Sequence, residues 1–227
     1  MKKLSLERRR DELLTSLQPA HARYYQDGKH RGPSLHFHRR ALEARRDHDF
    51  ALFSDSVYAM LASWGMHRMD RGARMADFEI FLASLHVVWA KAAALEGKTP
   101  GMLNEIDWAN LKGIFLEIRC MDSKASIVGN TKVMAHLLPE LVPPIDRKYT
   151  LKFLFGWRQV PNDLEKEWLI VEQTLRDFFY PVCLDARFVT AWKEWSSDPA
   201  RFVWDTSPIK TIDNVLIGLN AINAPPP

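Results

Sequence analysis

One stretch of the chain, residues 126–156, contains the residue types needed to bind an anion and to act on it. Its first part is a predicted tight turn, formed by Val128, Gly129, Asn130 and Thr131. Glycine adopts positive φ and asparagine tolerates it, so this turn would expose successive backbone N–H groups at the start of a helix. Such an arrangement binds anions. Lys132 follows within that helix, where the helix dipole gains nothing from a cation, and we predict that Lys132 acts outside the helix.

A lone aspartate, Asp146, opens the next helix after a proline-rich crossing. Pro139 closes the first helix, and Pro143 and Pro144 hold the chain extended before the aspartate. At a helix cap position, a carboxylate accepts backbone N–H bonds that keep it ionised. Asp146 is therefore a candidate site residue. The alternative is that Asp146 only caps the helix.

A V-G-x-x-K turn that leads into an apolar helix, followed by a proline-bearing loop and an I-D that opens a second helix, resembles the signature of the helix-hairpin-helix DNA glycosylases. The resemblance covers about thirty residues. It implies that the amides of residues 128–131 bind a DNA phosphate, that Asp146 assists departure of the base, and that Lys132 is the candidate nucleophile. Because the family's lysine lies one position nearer the glycine, we predict a monofunctional enzyme and leave open an abasic-site lyase activity through Lys132.

A second stretch with potential function ends the predicted helix at residues 49–63. In glycosylases that this chain resembles, the corresponding helix end fills the space left by the extruded base and lines the base pocket. The residues that would take this place are Trp64, Met66, His67 and Arg68. The alternative is an ordinary helix end with Trp64 and Met66 in the core.

Composition is that of an ordinary globular protein, with 47% hydrophobic and 26% charged residues among 227. No run of residues approaches a membrane span, and the amino terminus lacks the apolar segment of a signal peptide, which predicts a cytoplasmic protein without membrane contact. Cys120 and Cys183 are the only cysteines, which excludes a disulfide framework or a four-cysteine cluster. The chain would thus belong to a branch of the superfamily without an iron–sulfur cluster. His36 and His38 lack metal-ligand spacing, so we expect no metal and no cofactor.

Charge is distributed unevenly along the chain. Residues 1–75 hold 15 Lys and Arg against 9 Asp and Glu, and the remaining residues hold 16 against 19. A basic amino-terminal third suits a surface that binds the DNA backbone, since phosphate contacts supply most nonspecific affinity. The further candidate contacts with double-stranded DNA are Arg39, Arg40, Arg147 and Tyr149.

Hydrophobic residues recur at helical spacing and nowhere alternate as in strands, which predicts an all-α fold of about ten helices. The pattern predicts a helix at 4–18 that Pro19 stops, a loop from Tyr24 to Pro33, and a helix capped by Ser34. Ile106 is predicted to face the core. The resemblance implies a two-lobed helical bundle with a helix-hairpin-helix element at residues 122–156. We expect one domain over residues 1–224 and a disordered tail at 225–227.

The predicted activity is hydrolytic excision of a damaged or modified base from double-stranded DNA by a monomer, which leaves an abasic site. The chain contains no GxGxxG, P-loop, GxSxG or HExxH motif. Resemblance to bacterial anti-phage glycosylases suggests a bulky substrate such as glucosylated 5-hydroxymethylcytosine, whereas a repair enzyme would take a damaged base. Two alternatives remain: a noncatalytic helix-hairpin-helix DNA-binding protein, and a helical protein-interaction domain.

Overall fold

The computed structural model describes residues 5–26, 32–68, 74–122, 126–156 and 159–224. The predicted all-α class with about ten helices is confirmed, because 73% of the chain is helical and the described ranges contain no strand. The α-helices are α1 (Leu6–Thr15), α2 (Leu17–Gln26), α3 (Pro33–Arg46), α4 (Phe50–Ser63), α5 (Phe78–Ala93), α6 (Glu105–Glu117), α7 (Ile127–Leu137), α8 (Lys152–Phe155), α9 (Leu164–Thr174), α10 (Tyr180–Leu184), α11 (Ala186–Ser196) and α12 (Pro208–Ile222). None of these helices combines the length and the hydrophobicity needed to cross a lipid bilayer. The predicted tail at 225–227 lies outside the described residues.

The chain divides into two compact units. The first unit contains Met1–Lys29, Ile145–Gln159 and Val171–Pro227, and the second contains His30–Pro144 and Val160–Ile170. Two π-helical turns, Arg147–Leu151 and Leu175–Phe179, lead directly into α8 and α10. The chain passes from the second unit to the first after Pro144, at the end of the proline-rich crossing. The single domain of two packed lobes stays a prediction.

The second unit is built around α7. This helix contacts α3, α4 and α6, and all of its residues are buried. Hydrophobic residues at helical spacing form the buried faces of α4 and α5, with Phe53, Val57, Met60 and Leu61 on α4 and Phe81, Leu85, Val88 and Ala92 on α5. The prediction for Ile106 is wrong: this side chain is 73% exposed, because it occupies the first turn of α6 on the side away from the core.

The first unit is held together by the close packing of α2 on α12. The His21 ring stacks on Trp195 with centroids 3.8 Å apart, and its Nε2 lies 2.6 Å from Asp205 Oδ2. The same carboxylate accepts a bond from the Asn214 side chain of α12 through Oδ1, at 2.7 Å. A buried carboxylate thus joins α2 to α12 with both oxygens bonded, as buried charges require.

Two predictions for the amino-terminal segment are wrong. Pro19 does not end a helix but lies in the first turn of α2. Backbone N–H groups in the first turn have no acceptor within the helix, so proline loses no hydrogen bond there. The predicted loop after Tyr24 is helical as far as Gln26, because Tyr24 is buried and its burial outweighs the weak turn signal.

The start of α3 also differs from the prediction. The cap residue is Gly32, with φ of +80°, rather than Ser34, and Pro33 takes the first helical position. Proline is favoured there because its φ is already helical.

Candidate functional site

The predicted turn at residues 128–131 is wrong, because these residues lie inside α7 and are buried. Asn130 N–H donates to Ser126 C=O at 2.8 Å, so its amide is used within the helix. A DNA phosphate cannot reach such amides in this conformation. The amides of Val128, Gly129, Asn130 and Thr131 therefore form no phosphate-binding hairpin here.

The start of α7 is occupied by a protein carboxylate. Glu167 Oε2 accepts hydrogen bonds from Ser126 N at 2.8 Å and from Ile127 N at 2.7 Å. These are the N–H groups that an anion at this helix end would need. Glu167 is fully buried, and its burial raises the pKa of the carboxyl, while the two N–H bonds oppose that rise.

Gly129 and Asn130 explain why the chain stays helical here. A Cβ at Gly129 would lie 2.6 Å from Cys120 Sγ and 2.9 Å from Met121 Cγ, so glycine serves close packing and not a positive φ. The Asn130 side chain donates to Phe115 C=O at 2.8 Å and to Ile118 C=O at 3.2 Å, which satisfies carbonyls at the end of α6. Both residues therefore connect α7 to the end of α6.

The buried Glu167 predicts a pH effect on stability. Its pKa is raised by burial, so the folded protein holds the proton more tightly than the unfolded chain does. This contribution to stability is complete below the ordinary carboxyl pKa and is lost as the pH rises through the raised value. Glu167→Gln keeps an oxygen for both amides but cannot ionise. Relative to wild type, the variant should therefore gain free energy of unfolding as the pH rises from 4 to 7.

Urea unfolding at several pH values would measure this difference. Asp55→Asn, an exposed change on α4 that breaks no ion pair among the described residues, corrects for the loss of one negative charge. A Glu167→Gln variant that instead loses stability relative to wild type as the pH rises would contradict the prediction. It would indicate that the two amide bonds stabilise the carboxylate by more than burial costs.

Lys132 lies on α7 and is only 9% exposed. Its Nζ sits 5.0 Å from the centre of the Trp64 ring, a cation–π contact that favours the protonated amine. Trp64 is half-buried at the end of α4, so the structure brings together two of the predicted site residues. Thr131, the preceding residue, instead donates its hydroxyl to Ile127 C=O at 2.6 Å.

Two buried histidines extend this cluster, and their tautomers follow from their bonds. His136 Nδ1 lies 2.8 Å from Lys132 C=O, and because a carbonyl only accepts, this nitrogen carries the proton. Neutral His136 Nε2 is then an acceptor, and it lies 2.8 Å from His38 Nδ1, which must donate. Protonation of both rings would place two donors face to face. The histidine pair thus joins α3 to α7 and accommodates at most one positive charge.

The other predicted pocket residues are separated by the structure. Met66 is 2% exposed and lies in the core, as the alternative interpretation of this helix end proposed. His67 is exposed, and its Nδ1 lies 2.8 Å from Ala62 C=O. Arg68 ends a 3₁₀ turn, Met66–Arg68, and its side chain lies outside the described part of the chain.

Asp146 caps the π-helical turn Arg147–Leu151, as its position in the sequence predicted. Its Oδ1 accepts bonds from Lys148 N at 2.6 Å and from Tyr149 N at 3.2 Å. In the described ranges, Oδ2 accepts no hydrogen bond, and the residue is only partly buried. One oxygen is thus fixed by the backbone, and the other makes no hydrogen bond with the residues that the structure describes.

The predicted DNA-contact residues lie on two helical segments, one in each unit. Arg39 and Arg40 are exposed on α3 and line a surface pocket of about 350 Å³ together with His36 and Glu43. Arg147 and Tyr149, beside Asp146, are partly buried. Neither arginine on α3 forms an ion pair with the residues that the structure describes, so both can bind an external anion.

Three features of these sites were not predicted from the sequence. Glu167 and the contact between His38 and His136 depend on residues that are 41 and 98 positions apart in the chain, and no local signal reports such pairing. Lys148 and Lys152 follow Asp146 closely in the sequence, but their residue types alone predicted no role for them.

Cys120 is fully buried, and burial raises the pKa of its thiol to about 12, so this cysteine is no nucleophile.

Comparison with known proteins adds no relative. No family model, no curated protein and no solved structure matches this chain. The resemblance to helix-hairpin-helix glycosylases therefore rests on the residues around Lys132 and Asp146 alone.

Proposed function

We propose that this chain is a DNA glycosylase that hydrolyses the N-glycosidic bond of a damaged or modified base in double-stranded DNA. The observation that carries the proposal is the Asp146 carboxylate. Two backbone amides orient it through Oδ1, and Oδ2 accepts no hydrogen bond in the described ranges. A fixed and accessible carboxylate is the group that this reaction needs.

Asp146 would act on the sugar of an extruded nucleotide. As the bond between C1′ and the base nitrogen breaks, its electron pair leaves with the base and positive charge develops on the sugar. The Asp146 carboxylate stabilises that charge and orients a water, whose oxygen forms the new bond to C1′. The proton of this water passes to the departing base or to solvent, so the products are a free base and an abasic site.

We propose that Lys132 does not attack the sugar. A nucleophilic amine must reach the C1′ atom. The Lys132 side chain is only 9% exposed, and its Nζ lies 5.0 Å from the centre of the Trp64 ring. This favours a monofunctional enzyme, in agreement with the shifted spacing of the lysine.

We expect that wild-type protein leaves the DNA strand intact after excision. Borohydride treatment on a duplex with an abasic site should trap no covalent complex, because the Lys132 side chain is only 9% exposed and packs on Trp64. Lys132→Met, which keeps most of the length of the side chain and removes its amine, provides the control. A complex that forms with wild type and disappears in Lys132→Met would overturn the monofunctional proposal and assign the lyase nucleophile.

The proposed DNA contacts are the arginines of α3 and the residues that follow Asp146. Arg39 and Arg40 on α3 offer guanidinium groups that can bind phosphates bidentately. Trp64 and the exposed His67 are the remaining candidates for the base pocket, since Met66 lies in the core and the Arg68 side chain is not described. Arg147 and Tyr149 would contact the strand next to Asp146.

The function is tested by an excision assay with purified protein on a panel of DNAs. The panel contains uracil, oxidised and alkylated bases, together with phage DNA whose cytosine is unmodified, hydroxymethylated or glucosylated. Free base and abasic sites are both quantified. We propose a bulky modified cytosine, such as glucosylated 5-hydroxymethylcytosine, as the substrate, and release of a damaged base instead would assign the enzyme to repair.

A noncatalytic DNA-binding protein is the rival function. Its discriminating result is that no member of the panel yields free base, while wild type and Asp146→Asn bind DNA equally. The amides that such a clamp would need are engaged within α7 and by Glu167, so this rival requires a different binding surface.

A further inference from the structure

Three cations follow Asp146 within six residues. They are Arg147, Lys148 and Lys152, and Asp146 is the only acidic residue from position 145 to position 155. Lys148 and Lys152 are exposed, and Arg147 is partly buried. None of the three forms an ion pair with the residues that the structure describes. This segment therefore presents positive charge that the protein itself does not neutralise.

The helical geometry places the two lysines on one side of the segment. They are four positions apart across the π-helical turn Arg147–Leu151 and the start of α8, which is within about one turn. Lys148 Nζ lies 5.0 Å from the centre of the Tyr149 ring, so an aromatic surface holds one ammonium near the cap. Two exposed ammonium groups thus follow Asp146 within the helical segment that it caps.

A carboxylate that acts on DNA must approach a polyanion, and the phosphates repel it. A strand of duplex DNA carries one phosphate per about 3.4 Å of axis, so phosphates lie on both sides of any extruded nucleotide. Cations beside Asp146 offset that repulsion in the bound complex. A glycosylase also needs phosphate clamps to hold the strand while the base is outside the stack.

We propose that Lys148 and Lys152, aided by Arg147, form a phosphodiester-binding site that holds the DNA strand at Asp146. The inference rests on the proposed function for its choice of DNA as the anion. The contacts are made by point charges to the backbone, so they position the strand without selecting its sequence. Substrate choice then depends on other residues.

The test measures DNA affinity as a function of NaCl concentration. The probe is a 20-base-pair duplex with a tetrahydrofuran abasic analogue, which requires no knowledge of the substrate base. The variant Lys148→Ala/Lys152→Ala should bind between about tenfold and 100-fold more weakly than wild type at 0.1 M NaCl. The slope of log K against log salt should fall in magnitude by about two, or one per lost phosphate contact.

A matched control removes the same charge from other helices. Lys166 on α9 and Lys193 on α11 are exposed, and Lys166→Ala/Lys193→Ala should keep the wild-type slope. Thermal unfolding of both double variants checks that they are folded. Equal slopes for wild type and Lys148→Ala/Lys152→Ala, or no binding of the probe by wild type at low salt, would overturn the inference.

Excision on the DNA panel separates this inference from the proposed function. If wild type excises a base and the lysine variant keeps its salt slope, the phosphate site is wrong and the glycosylase stands. If no base is excised but the slope falls as expected, the phosphate site stands and the glycosylase is wrong.

Discussion

Asp146→Asn is expected to lower the single-turnover rate of base excision by about 100-fold or more, because it removes the charge that stabilises the developing positive sugar. Fold stability should hardly change. Asparagine caps a helix as well as aspartate does, and its side-chain oxygen can accept the bonds from Lys148 N and Tyr149 N. DNA binding should be kept or strengthened, since one negative charge near the phosphates is lost.

The matched control is Asp49→Asn. Asp49 also caps a helix, and its Oδ1 accepts a bond from Leu52 N at 2.9 Å. This variant should excise bases at the wild-type rate. Asp146→Ala separates the two roles of the carboxylate, since it should lose both excision and about 1 kcal/mol of stability from the missing cap. Full activity in Asp146→Asn would leave Asp146 as a helix cap only and would withdraw the proposed mechanism.

Local rules were sufficient for the elements whose boundaries depend on neighbouring residues. Asp146 caps the helical turn that its position predicted, and α4 covers Phe50–Ser63 where a helix at 49–63 was predicted. The buried faces of α4 and α5 agree with helical spacing, because apolar residues three and four positions apart lie on one side of a helix. The all-α class followed for the same reason.

The candidate site could not be predicted in the same way, because distant residues decide it. The V-G-N triplet allows a tight turn, but Cys120 and Met121 pack against Gly129, and Glu167 satisfies the first amides of α7. A triplet carries no information about such partners. The residues of the predicted hairpin therefore lie in a buried helix, and Lys132 is buried beside Trp64.

A similar tertiary effect extends α2 to Gln26, into the loop that was predicted to begin at Tyr24. Tyr24 is 4% exposed, and α2 packs on α12 so closely that α12 needs a glycine at the contact. Helix propensity is a weak guide where one helix is pressed against another. Gly218 is the residue of α12 at that contact, but the need for glycine there follows only from the packing of α2 on α12.

Gly218→Ala is expected to lower the free energy of unfolding by about 3 kcal/mol, at the upper end of the range for overpacked contacts. A Cβ at this position would lie 1.9 Å from Ala20 C=O oxygen and 3.0 Å from Tyr24 N. Both neighbours are backbone atoms of α2, so no side chain can turn aside and α2 must move away from α12. The melting temperature should fall by roughly 6–12 °C for a chain of this size.

Gly113→Ala provides the opposite expectation from the same chemical change. Gly113 also lies within a helix, α6, but there a Cβ would meet only Lys91 Nζ at 3.6 Å, the end of a flexible side chain. Alanine should stabilise this helix by about 0.5–1 kcal/mol, because it restricts the unfolded chain without a clash. Urea unfolding of both variants measures the difference. Similar stabilities for the two would mean that α2 and α12 do not pack at the distance that makes glycine necessary.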